Sequence, residues 1–263
     1  MVSNMERIIL GDGMSGMIIA ACLDYLGYDF IIYGKGEYKS PPIMLLECDE
    51  ISKNRYASIF EIDNIDSYIH HITIGYLFKD KIYDTPDETI LYNYYLKQSR
   101  VKSGASMSNS KNEFDAIMLN KVYDKLYEKY KDKIITDYIP IYEIEHDYRH
   151  TIVYNTIFDT NANNYKPSFE YIEKTPYNNL GYSYIYDCNI KSNIKRITPV
   201  SKEYLSNDKL NHNLIEIKNY YNEPAIYKTY NPKKDFTWID ISRNATHTQL
   251  KQEDIIKYIL ENE

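Results

Sequence analysis

The sequence predicts an α/β fold, with a dinucleotide-type β-α-β unit near its start and a mainly antiparallel sheet later. Three observations predict it. A G-x-G-x-x-G turn, Gly11-Asp12-Gly13-Met14-Ser15-Gly16, separates an apolar run from a helix candidate. A second apolar run follows at the distance such a unit requires. Further on, tyrosine and isoleucine alternate with a period of two.

The opening unit is the most explicit. Ile8, Ile9 and Leu10 form a strand that stops at Gly11. Met17 to Leu26 is an apolar, glycine-free helix candidate, and Gly27 suits its C-terminal end. Phe30 to Tyr33 is the second strand. In such a turn the first glycine makes the bend, the second lets a pyrophosphate approach the backbone, and the third lets helix and strand pack closely. The helix N-terminus then offers N–H groups and a partial positive charge to that pyrophosphate. One departure stands out. The usual pattern places an acid at the end of the second strand to bind ribose hydroxyls. Here that end reads Tyr33-Gly34-Lys35-Gly36-Glu37. Glu37 lies late, and Lys35 offers a phosphate contact instead. The sugar end of any dinucleotide is then held in a nonstandard way, or is not held.

The remaining elements follow in order. Ser40-Pro41-Pro42 breaks regularity, and residues 35–65 read as an excursion with little regular structure. Tyr68 to Phe78 favours β structure, and Asp80-Lys81 is a turn before Ile82 and Tyr83, which predicts a hairpin. His70 and His71 point to opposite faces of such a strand, so they do not share a metal. Residues 85–113 hold a tyrosine-rich run and then a polar loop with Arg100 and Lys102. Phe114, Ile117, Met118, Val122 and Leu126 have helix spacing, predicting a helix over 114–130. Strands are expected over 134–140, 141–144 and 151–158, with a turn at 146–150. Tyr182, Tyr184 and Tyr186, then Lys195 to Ile197, predict antiparallel sheet. Short strands at 214–217 and 225–230, a strand at 236–241 and a helix at 249–260 close the chain.

Composition narrows the class. The 263 residues include 31 basic and 38 acidic side chains, a net charge of −7. That argues against broad nucleic-acid or anionic-membrane binding. No apolar run approaches the roughly 20 residues that span a bilayer. The first strand begins almost at once, so no signal peptide is expected. Cys22, Cys48 and Cys188 show no metal spacing, and a reduced, cytoplasmic protein is the economical reading. Thirty tyrosines against seven phenylalanines, with many isoleucines, asparagines and lysines, match AT-rich codons, as in a phage or low-GC bacterium. No G-x-S-x-G, Walker A, H-E-x-x-H or paired-cysteine zinc pattern occurs.

Three segments together resemble the FAD-dependent oxidoreductases of the amine-oxidase and UDP-galactopyranose-mutase type. They are Gly11 to Tyr33; the 114–130 helix followed by strands ending Ile157-Phe158-Asp159-Thr160; and Ser242-Arg243-Asn244-Ala245 before the last helix. The resemblance implies a GR2-type Rossmann-like FAD-binding domain (1–65, 106–164 and 233–263). It also implies an inserted, mainly antiparallel β substrate domain (66–105 and 165–232). Extended FAD requires two helix N-termini. One is at Gly11, Asp12, Gly13, Met14, Ser15 and Gly16. The other is near Arg243, Asn244, Ala245 and Thr246. Gly34, Lys35, Ile139 (beside the adenine) and Thr160 complete the implied cofactor site. Ser242 stands where the family has glycine. Candidate substrate contacts are Tyr186, Arg196 and Tyr227, with Arg196 suited to an anionic group; His247 is the candidate for catalysis. The implied function is FAD-dependent oxidation of an amine, amino-acid-like or nucleotide- or sugar-linked small molecule, including viral nucleotide or glycan modification. The alternatives are an NAD(P)-binding enzyme using only the first glycine turn, and a non-catalytic binding or structural module.

Overall fold

The computed structural model describes residues 6–38, 45–97, 112–136, 154–159, 169–172, 181–192, 194–199, 213–217, 227–231, 236–241 and 252–263. The chain is a mixed α/β protein with parallel and antiparallel strands in two compact units. One comprises Met1–Ile69, Ile117–Tyr165 and Pro224–Glu263; the other comprises His70–Ala116 and Lys166–Glu223.

The first unit is organised on β1 (Glu6–Leu10), α1 (Met14–Tyr25) and β2 (Phe30–Tyr33). β1 and β2 are parallel, with Ile8 opposite Ile31 and Leu10 opposite Tyr33. On its other side β1 pairs in parallel with β8 (Tyr154–Asp159). The sheet runs β13-β14-β8-β1-β2-β7, with β7 (Ile134–Ile135), β13 (Tyr227–Asn231) and β14 (Phe236–Asp240). Only β13 is antiparallel to its neighbour. Parallel pairing needs crossover helices that cover the sheet, so its central strands are apolar runs. Ile9, Ile32 and Phe158 are fully buried accordingly.

α1 is buried around its whole circumference. Met17, Ile18, Ile19, Ala20, Ala21, Cys22 and Leu23 have no exposed surface. Three helices pack against it: α2 (Glu50–Ile59), α4 (Leu119–Tyr130) and α5 (Gln252–Asn262). Burial pushes the Cys22 thiol up to about 12, which keeps it a neutral core side chain. Its C-terminus is closed by Gly27, at φ +77°, where Tyr28 N–H donates to Leu23 O at 2.9 Å. The start of β1 is tied to the end of α5: Arg7 Nε donates to Glu263 Oε2 at 3.0 Å, and its guanidinium lies 3.4 Å from the Tyr28 ring centroid.

Three sequence expectations change in this unit. Residues 35–65 contain β3 (Leu45–Glu47) and α2. α2 has a reciprocal cap, in which Ser52 N–H donates to Asp49 Oδ1 and Asp49 N–H to Ser52 Oγ, both at 2.8 Å. Tyr56 and Ile59, three apart, are its buried face. The 114–130 segment is not one helix. It is β6 (Glu113–Met118) followed by α4. Ala116, Ile117, Met118 and Leu119 are all fully buried, a contiguous run that a one-sided helix does not produce. The strand at 227–231, expected in the substrate domain, belongs to the parallel sheet of this first unit through β14.

In the second unit β4 (Ile69–Phe78) and β5 (Lys81–Tyr83) form the expected hairpin, with Leu77 opposite Ile82. The sheet continues β6-β4-β10-β11-β12-β9, with β9 (Phe169–Ile172), β10 (Tyr184–Asp187), β11 (Ile194–Pro199) and β12 (Asn213–Ile217). β10 is parallel to β4, a departure from the antiparallel expectation, while β10-β11-β12-β9 are antiparallel. The tyrosine-rich run is α3 (Glu88–Lys97), capped by Asp87 Oδ1, which accepts from Ile90 N–H at 2.8 Å. The polar loop read over 99–112 falls, apart from Asn112, outside the described residues.

No helix among the described residues is long and apolar enough to cross a membrane. His71, on exposed β4 surface, places Nδ1 3.0 Å from Asp115 Oδ1 and Nε2 3.5 Å from Glu113 Oε2. The Asp115 hydrogen bond, reinforced by Glu113, raises the imidazole above its ordinary value. A raised folded value means that the pairing stabilises at low pH and fades as pH rises through that value. In an NMR titration His71 should therefore show a midpoint above 6.5, falling back in Asp115→Asn.

Candidate functional site

The site is built where β1 hands over to α1. Gly11 has φ +108°, open to glycine and strained for other residues, and its N–H donates to Tyr33 O at 2.7 Å. That bond fixes the turn to the end of β2. Gly16 faces back onto the turn: a Cβ there would lie 1.9 Å from Gly11 O. Gly13 is different. It is the N-cap of α1 with φ −78°, a backbone any residue adopts, and a Cβ there would meet nothing within 4 Å. The protein's own packing therefore requires Gly11 and Gly16 but leaves open space at Gly13.

That open space faces an uncapped helix end. α1 has no side-chain cap and no acidic residue in its first turn. Its first N–H groups have no i−4 carbonyls, and the helix dipole favours an anion there. Beside it stands the start of α5. Gln252 Nε2 donates to Ser15 Oγ at 3.4 Å. Gln252 is only 4% exposed, yet its Oε1 has no hydrogen-bond partner among the described residues. A buried amide oxygen left this way is costly unless something else donates to it. Both helix tips thus present unsatisfied polar groups at one place, which fits an elongated, phosphate-bearing cofactor.

The rim is formed by the loop after β2. Asp12 Oδ2 accepts from Gly36 N–H at 2.8 Å. Tyr123 OH donates to Asp12 O at 3.0 Å, and Tyr127 OH to Gly36 O at 2.9 Å. Tyr38, tilted against the Tyr123 ring and edge-on to the Tyr127 ring, donates to Asp124. Burial, and then the nearby Asp12 carboxylate, hold both the Tyr123 and Tyr127 phenols above their ordinary values, so both remain donors.

Of the residues singled out in the sequence, Gly11, Asp12, Gly13, Met14, Ser15, Gly16 and Gly34 come together at this turn, and Lys35 is exposed on the adjoining loop. Ile139, Thr160, Arg243, Asn244, Ala245, Thr246 and His247 lie outside the described residues, as does Ser242. Tyr186 and Arg196 are register partners on β10 and β11 in the second unit. Tyr186 packs 4.8 Å from the Tyr94 ring and 6.3 Å from those of Tyr76 and Tyr184, in an aromatic cluster. Tyr227 begins β13 in the first unit. Gln252, Tyr123 and Tyr127 were missed. The i, i+4 spacing of Tyr123 and Tyr127 marked one helix face; nothing in the sequence marked Gln252. Among the described residues no group of three or more His, Cys, Asp or Glu side chains is placed to hold a metal.

No protein-family model matches the chain, and no curated protein matches it. Among solved structures it is similar to reduced UDP-galactopyranose mutase, at 11% identity over 82% of this chain and 74% of that chain, with a TM-score of 0.44. It is also similar to a protein assigned as an FAD-containing monooxygenase from Photorhabdus luminescens subsp. laumondii TTO1. There the identity is 12%, the TM-score 0.42, and the coverage 81% of this chain and 62% of that chain. A third likeness is to the peptidyl tryptophan dihydroxylase QhpG, at 6% identity and a TM-score of 0.41, over 82% of this chain and 46% of the other. Likeness at this distance assigns no activity.

The contrast between the glycines is measurable. Gly16→Ala should destabilise the fold by about 2–4 kcal/mol in urea denaturation, because its Cβ meets backbone. Gly13→Ala should cost no more than about 1 kcal/mol, since its Cβ meets open space and only cap preference is lost.

Proposed function

We propose that the first unit binds FAD and that the chain is an FAD-dependent oxidoreductase, its first unit a GR2-type Rossmann-like domain and its second an inserted substrate-binding domain. The observation that carries this is the side-chain contact between the first turns of two helices, Gln252 Nε2 to Ser15 Oγ at 3.4 Å, with open space at Gly13 and an orphaned buried oxygen on Gln252. A single glycine turn suits any dinucleotide. A second helix tip beside the first, carrying its own unsatisfied amide, suits a longer cofactor with a second polar end.

In this reading FAD supplies the hydride-accepting chemistry when bound. The N–H groups at the start of α1 hold the pyrophosphate, and the open face of Gly13 lets it come close. Gln252 Oε1 accepts a hydrogen bond from a donor on the cofactor, while Nε2 keeps its bond to Ser15. Gln252 orients the cofactor through the rigid packing of α5 on α1. Tyr186 and Arg196 are proposed to contact a small anionic substrate, for which the planar guanidinium is suited. Their register pairing on neighbouring strands supports treating them together.

Purified chain incubated with FAD should turn yellow and retain flavin absorbance after desalting. Tight NAD(P)H binding without flavin would favour a nicotinamide enzyme, and a folded chain that binds neither would favour a binding or structural module. Gln252→Met, which removes the orphaned oxygen, should leave the apo melting temperature unchanged or higher and weaken FAD binding about tenfold.

A further inference from the structure

A dinucleotide fold ordinarily presents a carboxylate to the ribose hydroxyls from the end of its second strand. This chain has Gly34 there. The structure shows what occupies the space instead. A Cβ at Gly34 would lie 2.4 Å from Asp12 Cγ, 2.5 Å from Asp12 Cβ and 2.6 Å from Asp12 Oδ2. The side chain of Asp12, from the glycine turn, fills the volume of a strand-end side chain. Gly34 is not in the left-handed region. Asp12 alone supplies the nearest atoms that exclude a side chain at this position.

The carboxylate is also held. Oδ2 accepts from Gly36 N–H at 2.8 Å, Tyr123 fixes the Asp12 carbonyl, and Tyr127 fixes the Gly36 carbonyl. Two phenols one helical turn apart thus brace both ends of the Asp12–Gly36 link. A carboxylate has about four acceptor sites and this link uses one. Oδ1 bonds to no described residue. A clamped carboxylate with an open oxygen, at the end of β2, matches the donor pair of a ribose diol.

We propose that Asp12 is the ribose-binding carboxylate of this chain, moved from the end of β2 onto the glycine turn, and that it holds the adenosine half of the cofactor. The inference rests on the flavin reading above. It also accounts for Gly34, which must lack a side chain for Asp12 to lie there.

The test measures FAD binding to the full chain by quenching of flavin fluorescence, with ADP and 2′,3′-dideoxy-ADP as competitors. Wild type should prefer ADP by about tenfold, the worth of a hydrogen bond to a charged group. Asp12→Asn keeps the volume and the acceptor for Gly36 N–H, so it should fold, with an unchanged thermal melt. It should lose the preference for ADP and bind FAD about tenfold more weakly. The double variant Asp12→Ala/Gly34→Asp, which returns the acid to the strand end, should regain the preference. If Asp12→Asn still prefers ADP as wild type does, the assignment of Asp12 is overturned while FAD binding stands. If wild type binds no FAD, the flavin reading is overturned and this assignment with it.

Discussion

The contact on which the first unit depends is backbone against backbone: the α carbon of Gly16 over the carbonyl oxygen of Gly11. With a built Cβ only 1.9 Å from that oxygen, no side chain fits. The close approach sets the angle at which α1 leaves β1. Everything that makes the site follows from that angle. The helix tip rises beside the sheet end, its first N–H groups face outward, and Gly13 lies over open space. α1 can hold the position because it is buried on all sides, between the sheet and three further helices. A rigid, dry helix with one wet end is a suitable mount for an anion site.

Charge around the turn is arranged to leave the helix tip positive. The one carboxylate in the turn, Asp12, is drawn away toward β2 by Gly36 N–H and lies over Gly34. α4 enforces this through Tyr123 and Tyr127, whose phenols are kept protonated by burial and by Asp12 itself. The same helix anchors elsewhere in the unit: Tyr130 OH donates to Asp24 Oδ2 at 2.9 Å, and Lys129 Nζ lies 2.6 Å from the same oxygen. α4 is therefore a brace as much as a covering helix.

Much of the fold was legible where local pattern and tertiary role agree. The β1-α1-β2 unit shows in its glycines and apolar runs, and the β4-β5 hairpin in its turn residues. Reading failed where they diverge. Phe114 to Met118 has helix spacing by coincidence, but the segment pairs beside β4 in the sheet, a long-range partner that local spacing does not show. α2 hid because its cap is Asp49 with Ser52, short of the usual acidic partner. α3 hid behind tyrosines, which favour strands until Ile90 and Tyr95 find a core to bury in. The glycine turn of the site was plain in the sequence. Gln252, Tyr123 and Tyr127 were not, because each acts on residues 91 or more positions away.

The sequence by itself determined the glycine turn, the helix it opens and the strands either side, because these depend on backbone sterics and on apolar periodicity within a few residues. It also determined that no acid stands at the end of β2. Only the tertiary structure decided that the last helix begins beside the first, that β13 joins the parallel sheet, and that Asp12 lies in the space Gly34 leaves. Those are meetings of distant segments. Their cause is the burial of shared apolar surface, which no local pattern encodes.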